Sequence, residues 1–284
     1  MPGFRQELVG LFGQPVDENP TQAMIEAGFA AAGLDWRYLT IEVAPGHLED
    51  AVRGARAMGL RGFNCTIPHK VAVVEHLDRL GRSAELMGAV NCVVRRGDEL
   101  VGENTDGAGF LEAVRRRRDP AGSRVVLLGA GGAARAIGVE LLLAGAASLT
   151  IVNRSAERGR ELGALLDGVE SPTEVGVEDL GGGFRVPADA DLVVNATSIG
   201  LYPGVDAVVP LALDDVAGRA LVADVIPNPP QTRFLRVAAE LGCETLDGLE
   251  MLVEQGRIGF ELWTGVEPDV EAMRDALRQA FELD

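Results

Sequence analysis

Residues 124–134 read RVVLLGAGGAA and join a continuous apolar run to a glycine-rich turn. Continuous apolar runs of this length are typical of strands buried on both faces of a parallel sheet. The turn fits the pattern G-x-G-x-x-A and leads into an alanine-rich segment with helical periodicity. Its first glycine permits a tight turn, its second lets the backbone approach a pyrophosphate, and its small last residue lets helix and strand pack closely. The segment predicts a dinucleotide site at Gly129, Ala130, Gly131, Gly132 and Ala133, with a purely structural turn as the alternative.

The next apolar strand indicates which dinucleotide binds. Strands of NAD-binding units usually end on a carboxylate, which holds the ribose hydroxyls. Here the strand at residues 149–152 is followed by Asn153, Arg154 and Ser155, with Arg158 one helical turn later. Two guanidinium groups and two short polar side chains suit a 2′-phosphate, and no carboxylate is present to repel it. The sequence therefore predicts NADP rather than NAD, unless both arginines are ordinary surface residues at a helix start.

Strand and helix signals divide the chain into two α/β domains. In the first domain, strands are predicted at residues 7–12, 36–43, 62–65, 89–95 and 99–101, and helices at 22–33, 48–58, 70–77 and 84–87. In the second, strands are predicted at 124–128, 148–152, 191–195 and 221–225, and helices at 133–144, 156–166 and 233–240. Residues 167–190 carry no predicted strand, and helices at 249–260 and 269–283 are expected to pack back toward the first domain. The predicted fold is an N-terminal α/β domain followed by a doubly wound Rossmann domain.

The net charge and the apolar and cysteine content indicate which binding partners and which cellular location to expect. The formal net charge of −17 argues against nucleic acid, because phosphate neutralisation needs a basic face. The basic run at residues 115–118 follows apolar positions at helical spacing and is interpreted as the solvated last turn of a helix. Neither a membrane span nor a signal peptide is indicated, so a cytoplasmic location is expected. Cys65, Cys92 and Cys243 match no disulfide framework or metal site, and small core residues are expected there.

Lys70 is the only lysine among 26 basic residues. Lysine releases its proton when a site lowers its pKa and arginine does not, so a chemical role is one explanation and chance survival the other. Lys70 follows a strand end and a proline turn, and Asp106 follows another strand end further along the chain. Such positions collect ligand-binding groups in α/β folds. A lysine and an aspartate brought together can exchange the proton that accompanies hydride transfer to a carbonyl, although spacing alone does not show that they meet.

Further motifs extend this pattern along nearly the whole chain. In order they are residues 64–70 (NCTIPHK), 88–91 (GAVN), 104–107 (NTDG), 129–134 (GAGGAA), 153–155 (NRS), 195–200 (NATSIG) and 248–255 (GLEMLVEQ). With these motifs the chain resembles the shikimate dehydrogenase family. The resemblance implies a substrate-binding domain at residues 1–106, joined by C-terminal helices at 248–284, and an NADP-binding Rossmann domain at 107–247. It also implies a role in aromatic amino acid biosynthesis, by the chorismate pathway, and allows a homodimer.

The resemblance also assigns roles to residues that match the family motifs. It implies that Lys70 and Asp106 form the catalytic pair. Side chains implied to bind the hydroxyls of a cyclohexene acid are those of Asn64, Thr66, Asn91, Asp106 and Gln255. Residues implied on the nicotinamide side of the cofactor site are Asn195, Ala196, Thr197, Ser198, Val225 and Gly248. Converging amides and hydroxyls suit a polyol, whereas buried polar residues that cap strands and turns are the alternative for Asn64 and Asn91 individually.

The sequence departs from the family where the substrate carboxylate is held. Two serine hydroxyls usually do this, and an ungapped alignment puts Asn19 and Thr21 in their place, beside Glu18. Asn19 and Thr21 still donate hydrogen bonds, whereas Glu18 disfavours an acid unless its side chain points away. Pro227 replaces a tyrosine that the family often carries. The expected reaction is the reversible reduction of 3-dehydroshikimate to shikimate with NADPH. The alternatives are a related cyclitol acid, such as quinate or aminoshikimate, and a non-catalytic ligand sensor.

Overall fold

The computed structural model describes residues 5–182 and 184–283, which fold into two compact units. The first unit comprises the described parts of Met1–Thr105 and Gln255–Asp284, and the second is Asp106–Glu254. Each unit contains a six-stranded sheet. The division of substrate and NADP binding between two domains stays a prediction.

The first unit is an α/β sheet with helices between its strands. Its elements are β1 (Glu7–Gly13), α1 (Thr21–Ala31), β2 (Trp36–Glu42), α2 (Leu48–Met58), β3 (Gly62–Cys65), α3 (His69–Ala72), β4 (Arg79–Leu80), α4 (Arg82–Met87), β5 (Cys92–Arg96) and β6 (Glu99–Glu103). The strand order is β2-β1-β3-β5-β6-β4. Strands β2, β1 and β3 are parallel, whereas β5 runs antiparallel to β3 and β6. The carboxyl ends of β1, β2 and β3 therefore lie at one edge of the sheet, where side chains can converge.

The C-terminal segment completes the first unit. This segment contains helices α9 (Gly248–Thr264) and α10 (Val270–Ala280). Helix α9 is divided between the two units, because the chain returns to the first unit at Gln255. The indole Nε1 of Trp263 donates a hydrogen bond to the carbonyl oxygen of Val93 over 3.0 Å. The ring of Phe260 lies 5.2 Å from that of Phe29, and a β-carbon at Gly28 would approach the Phe260 ring to 3.1 Å. A glycine in α1 thus permits close packing of the C-terminal helices.

The second unit is a doubly wound sheet. Its elements are α5 (Thr105–Arg115), which begins on the last residue before the unit, and then β7 (Arg124–Leu128), α6 (Gly132–Leu143), β8 (Ser148–Asn153), α7 (Ala156–Asp167), β9 (Glu174–Asp179), β10 (Leu192–Asn195), β11 (Leu221–Asp224), α8 (Arg233–Glu240) and β12 (Glu244–Leu246). All pairs are parallel in the order β12-β11-β10-β7-β8-β9. The order reverses between β7 and β10, which is where such sheets bind ligands. The predicted Rossmann fold is confirmed.

Edge strands are where the sequence predictions fail. Residues 167–190 carried no predicted strand, but β9 lies there and pairs in parallel with β8. Its side chains are half-buried or exposed, so the apolar run typical of a central strand is absent. The short strands β4 and β12 were also without a prediction. The strand predicted from residue 89 begins only at Cys92, the helix at 70–77 divides into α3 and a 3-10 helix at Val73–His76, and the last helix ends at Ala280.

The basic run at residues 115–118 makes structural contacts at Arg116, whose guanidinium pairs with the completely buried Glu254 over 2.6 Å, and at Arg118. Helix α5 ends at Arg115, and the next three arginines lie in the turn beyond it. Arg118 is half-buried and donates hydrogen bonds to the carbonyl oxygens of Asp191 (2.8 Å) and Arg219 (3.4 Å). The interpretation of the whole run as a solvated helix turn is therefore wrong for Arg118, which ties two chain segments together.

Two further expectations concern cysteines and membranes. Cys65, Cys92 and Cys243 are buried and free, which confirms that they are core residues. Over residues 5–182 and 184–283, no helix has the combined length and apolarity that crossing a membrane requires.

Candidate active site

The glycine loop lies between β7 and α6, at the point where the strand order reverses. Gly129 has φ +117°, in the region that favours glycine, and a β-carbon there would approach the carbonyl oxygen of Ala196 to 2.9 Å. The loops after β7 and β10 are therefore in close contact. A β-carbon at Gly131 or Gly132 would instead meet open space, with no protein atom within 4 Å.

The start of α6 is suited to a phosphate group. Its N-cap, Gly131, makes no side-chain capping hydrogen bond, and the peptide N–H groups of the first turn have no intrahelical acceptors. The N-terminus of a helix carries partial positive charge and binds anions through these groups. The open space above Gly131 and Gly132 fits the pyrophosphate of a dinucleotide, so the residues present are compatible with NADP.

The segment after β8 presents two arginines. Asn153 Nδ2 donates to the carbonyl oxygen of Ser155 over 2.8 Å, and the Ser155 hydroxyl caps α7 by accepting from the peptide N–H of Arg158. The side chains of Arg154 and Arg158 are exposed, and among the residues that the structure describes neither guanidinium forms an ion pair. Both cations are thus available to a 2′-phosphate, and their role in binding it stays a prediction.

The loop after β10 is held by its own polar groups. Asn195 is completely buried, and its Oδ1 accepts hydrogen bonds from the peptide N–H (3.2 Å) and hydroxyl (2.7 Å) of Thr197. The Thr197 hydroxyl accepts in turn from the peptide N–H of Ile199 at 3.1 Å. Ala196 is buried, whereas Ser198 is exposed. Asn195 therefore shapes the loop from inside, and the exposed part of the predicted nicotinamide segment is at Ser198.

Asp224, the last residue of β11, lies beside Asn195. Its Oδ2 accepts hydrogen bonds from Asn195 Nδ2 (3.1 Å) and from the hydroxyl of Thr232 (2.8 Å), and its Oδ1 accepts from the peptide N–H of Ile226 (3.1 Å). Only 1% of the residue is exposed, and this burial raises the pKa of the carboxyl to about 6, against the opposing effect of its hydrogen bonds. The sequence prediction missed Asp224, although a carboxylate at the end of a buried strand was a signal for it.

Gly248 and Val225 are in direct contact. A β-carbon at Gly248 would overlap the carbonyl carbons of Val225 and Ile226, so only glycine fits there. The preceding residue, Asp247, accepts a hydrogen bond from the peptide N–H of Glu250 at 3.1 Å and so caps α9, while burial raises the pKa of its carboxyl. These contacts bring two of the predicted nicotinamide-side residues together.

Four of the five residues predicted to bind substrate hydroxyls lie in the first unit, and three of these are linked by hydrogen bonds. Asn64 Nδ2 donates to the carbonyl oxygen of Asn91 (2.9 Å), and Asn91 Nδ2 donates to the hydroxyl of Thr105 (3.0 Å). The Thr105 hydroxyl lies 3.4 Å from Gln255 Oε1, and the Thr105 N–H donates to Asn91 Oδ1. The phenol of Tyr38 adds a donor to Asn64. The structure thus joins Asn64, Asn91 and Gln255 in one network, and Tyr38 and Thr105 are members that the sequence prediction missed.

The fourth position, Thr66, and the predicted catalytic Lys70 follow β3. Thr66 accepts a backbone hydrogen bond from His69 at 2.8 Å, and its methyl group occupies the space that a side chain at Gly13 would need. Lys70 is half-buried in the single turn of α3. Burial raises the pKa of the Cys65 thiol to about 12, and the positive charge of Lys70 opposes this rise. The Lys70 ammonium is therefore close enough to the end of β3 to affect groups there electrostatically.

Asp106 lies in the second unit, in the first turn of α5, and is half-buried. A β-carbon at the next residue, Gly107, would overlap the backbone of Ala136, so α5 and α6 are in close contact. This contact fixes the helix that carries Asp106 against the helix that follows the glycine loop. The pairing of Lys70 with Asp106 stays a prediction.

The predicted carboxylate-binding positions are at the start of α1. Asn19 Oδ1 accepts a hydrogen bond from the peptide N–H of Thr21 at 3.0 Å, and Thr21 is the first residue of the helix. Thr21 is only 6% exposed, whereas the side chain of Glu18 is exposed. The amide oxygen of Asn19 thus serves the helix terminus, and the polar groups at both predicted positions are neutral.

Comparisons with known proteins match this chain over almost its whole length. Models of the shikimate dehydrogenase substrate binding domain, of shikimate / quinate 5-dehydrogenase and of the shikimate 5′-dehydrogenase C-terminal domain match residues 11–93, 112–202 and 248–278. Shikimate dehydrogenase (NADP(+)) of Methanopyrus kandleri is 44% identical over 278 residues, covering 95% of this chain and 94% of that protein.

Similar solved structures include shikimate dehydrogenases and also a reductase named for another substrate. The ligand-free 5-ketofructose reductase of Gluconobacter sp. strain CHM43 is 52% identical with a TM-score of 0.95, and the match covers 98% of this chain and 99% of that one. Shikimate 5-dehydrogenase from Listeria monocytogenes, solved with shikimate and NAD, is 34% identical with a TM-score of 0.92, and 96% of each chain is covered. Full-length similarity at these identities leaves one assignment. The chain belongs to the shikimate dehydrogenase family of oxidoreductases.

Proposed function

We propose that the chain is an NADP-dependent oxidoreductase acting on a CH–OH group and that it reduces 3-dehydroshikimate reversibly to shikimate. The observation that carries this function is the full-length match to shikimate dehydrogenases (NADP(+)), together with the neutral hydrogen-bond network of the first unit. The corresponding role is in the shikimate pathway to aromatic amino acids.

The cofactor is held by the second unit. The glycine loop and the N-terminus of α6 bind the pyrophosphate, and Arg154 and Arg158 bind the 2′-phosphate. Ser198 and Gly248 lie on the nicotinamide side. When bound, NADPH supplies the hydride that reduces the substrate carbonyl.

The first unit recognises the substrate through neutral groups. Asn64, Thr66, Asn91 and Gln255 donate to or accept from substrate hydroxyls, and the network that joins Asn64, Asn91 and Gln255 orients their amides before substrate arrives. A substrate that lacks a hydroxyl leaves a buried amide unpaired, which costs binding energy.

We assign the proton transfer to Lys70 and Asp106. During reduction the Lys70 ammonium donates a proton to the substrate oxygen as the carbonyl becomes an alcohol, and during oxidation the neutral amine accepts it. Asp106 accepts a hydrogen bond from the same hydroxyl and stabilises the ammonium.

A second candidate substrate is a keto-sugar such as 5-ketofructose. Such a sugar has hydroxyls and carbonyls but no carboxylate, which agrees with the replacement of the two family serines by Asn19 and Thr21. Thr21 keeps a hydroxyl but is only 6% exposed, so less of the donor set remains for a substrate carboxylate. The 52% identity to a 5-ketofructose reductase favours the same alternative.

The two substrates are separated by initial rates of NADPH oxidation with 3-dehydroshikimate and with 5-ketofructose. The proposed function expects turnover of 3-dehydroshikimate, and turnover of 5-ketofructose alone would establish the second candidate instead. The double variant Asn19→Ser, Thr21→Ser is the matched test. If loss of the serines disfavours the acid, the double variant lowers the KM for 3-dehydroshikimate and leaves the KM for NADPH unchanged.

We also propose that the protein is a cytoplasmic homodimer, with the predicted domain roles given above. Three buried free cysteines suit a reducing compartment. Light scattering on the purified protein tests the dimer, since a mass equal to one chain would contradict it.

A further inference from the structure

The carboxylate of Asp224 has no role in the reaction proposed above, yet it faces only hydrogen-bond donors. Asn195 Nδ2, the Thr232 hydroxyl and the peptide N–H of Ile226 all donate hydrogen bonds to it. A carboxyl group has an acceptor oxygen for the side-chain donors and another for the peptide N–H, whereas an amide of the same shape has a single acceptor oxygen. The site therefore distinguishes a carboxyl group from an amide by hydrogen bonding and not by size.

This carboxylate decides the orientation of the Asn195 amide. The oxygen and nitrogen of an asparagine amide are almost equal in size, so packing alone does not distinguish the two orientations. With Asp224 as an acceptor, Nδ2 turns toward β11 and also reaches the carbonyl oxygen of Ile199 at 3.3 Å. Oδ1 then accepts from both donors of Thr197. The reversed amide would leave Thr197 without its acceptor and set two oxygens against each other at Asp224.

We propose that Asp224 is a positioning residue, which fixes the Asn195 amide and thereby holds residues 195–199 in the conformation that receives the nicotinamide end of NADP. This inference rests on the proposed function for the identity of the ligand. The chain of contacts runs from Asp224 through Asn195 to Thr197 and Ile199, entirely inside the second unit.

Thr232 provides a matched control, because its hydroxyl is hydrogen-bonded to the Asp224 carboxylate and to the start of α8 rather than to residues 195–199. Its hydroxyl donates to Asp224 and accepts from the peptide N–H of Leu235, which caps α8. Thr232→Val removes one donor to Asp224 and one helix cap, so it lowers the melting temperature while leaving the bond between Asp224 and Asn195 in place. Asp224→Leu keeps a side chain of similar size and removes both carboxylate oxygens, including the Oδ2 that accepts from Asn195 Nδ2.

The test measures hydrogen exchange of the 195–200 peptide, NADPH affinity by fluorescence titration, and KM and kcat. In Asp224→Leu we expect exchange of the Thr197 and Ile199 amides to be faster and the Kd and KM for NADPH to rise, each by roughly tenfold. The KM for the carbonyl substrate changes little. In Thr232→Val, exchange in this peptide and NADPH affinity stay within about twofold of the starting protein.

A reversed pair keeps the proposal testable if Asp224→Leu folds poorly. Combining Asn195→Asp with Asp224→Asn places a donor opposite an acceptor between the two strands and keeps an acceptor for Thr197, so NADPH affinity is higher than in Asp224→Leu. Unchanged exchange in Asp224→Leu, or equal acceleration in Thr232→Val, would overturn the proposal. If hydrogen exchange of the 195–200 peptide and NADPH affinity change as expected but neither substrate is turned over, the proposed function is contradicted and the positioning role of Asp224 is not.

Discussion

The phenol of Tyr38 donates a hydrogen bond to Oδ1 of Asn64 over 2.7 Å, and both side chains are buried. Burial raises the pKa of Tyr38 well above its ordinary value, so the hydroxyl remains a donor at any ordinary assay pH. With Nδ2 donating to Asn91, the orientation of the Asn64 amide is fixed and its second N–H remains for a ligand hydroxyl. A residue outside the predicted site therefore orients an amide that is predicted to bind substrate.

We expect Tyr38→Phe to raise the KM for the carbonyl substrate about threefold to tenfold and to lower the free energy of unfolding by about 1–2 kcal/mol, because Asn64 Oδ1 loses its partner. The KM for NADPH stays unchanged. Steady-state kinetics and denaturant unfolding check these values. Phe29→Leu is the control, since it disturbs the same core without touching the network. An equal rise in substrate KM in the control would contradict the role of Tyr38.

Arg154→Ala and Arg158→Ala are each expected to raise the KM for NADPH by about tenfold, because each removes one charge-assisted contact to the 2′-phosphate. The KM for NADH, which lacks that phosphate, stays within about twofold. Kinetics with both cofactors measure the difference. Arg160→Ala removes another exposed cation from α7 and is expected to leave the NADPH preference unchanged.

Lys70→Met is expected to lower kcat by about two to four orders of magnitude on whichever carbonyl substrate the protein uses, since it removes the general acid and base. NADPH affinity, measured by fluorescence titration, is expected to remain. Lys70→Arg serves as the matched variant, because arginine keeps the charge but does not release a proton. Full turnover in either variant would show that the proton comes from another group.

We expect the free energy of unfolding to depend on pH through the raised pKa of Asp224. Its pKa is about 6 in the folded protein against an ordinary value of 3.8, so the unfolded chain loses this proton at lower pH than the native protein. Its contribution to stability is fully present below pH 3.8 and is lost as pH rises through about 6. We expect wild type to lose about 3 kcal/mol relative to Asp224→Asn over this interval. Unfolding free energies of both proteins at several pH values test the sign, and an opposite trend would contradict it.

Gly248→Ala is expected to lower the free energy of unfolding by about 1–3 kcal/mol and to weaken NADPH binding, because its β-carbon overlaps the backbone of Val225 and Ile226. Gly46→Ala is the control, since a β-carbon there meets no atom within 4 Å. Thermal melts and NADPH titration compare the two. Equal stability of both variants would mean that the backbone at Val225 yields without cost.

The residues of the candidate site differ in whether the sequence around them could identify them. Gly131 and Arg154 follow strand ends and could be identified from sequence, because a glycine turn or a basic turn has meaning beside the strand that precedes it. Tyr38 gave no such signal, and Thr105 lies in the motif at residues 104–107 without a role that the motif could assign to it. Thr105 is 150 residues from Gln255 in sequence, and Tyr38 is 26 residues from Asn64. Such pairs depend on which elements become neighbours.

The sequence by itself determined the Rossmann fold, its central strands and the glycine loop, because apolar runs and backbone-restricted turns are local properties of the chain. It left the edge strand β9 unpredicted, since a strand with one neighbour needs no apolar run. Only the tertiary structure decided that Asn195 and Asp224 stand opposite each other in the register of β10 and β11. Register and hydrogen-bond direction arise from packing between strands distant in sequence, and no local pattern encodes them.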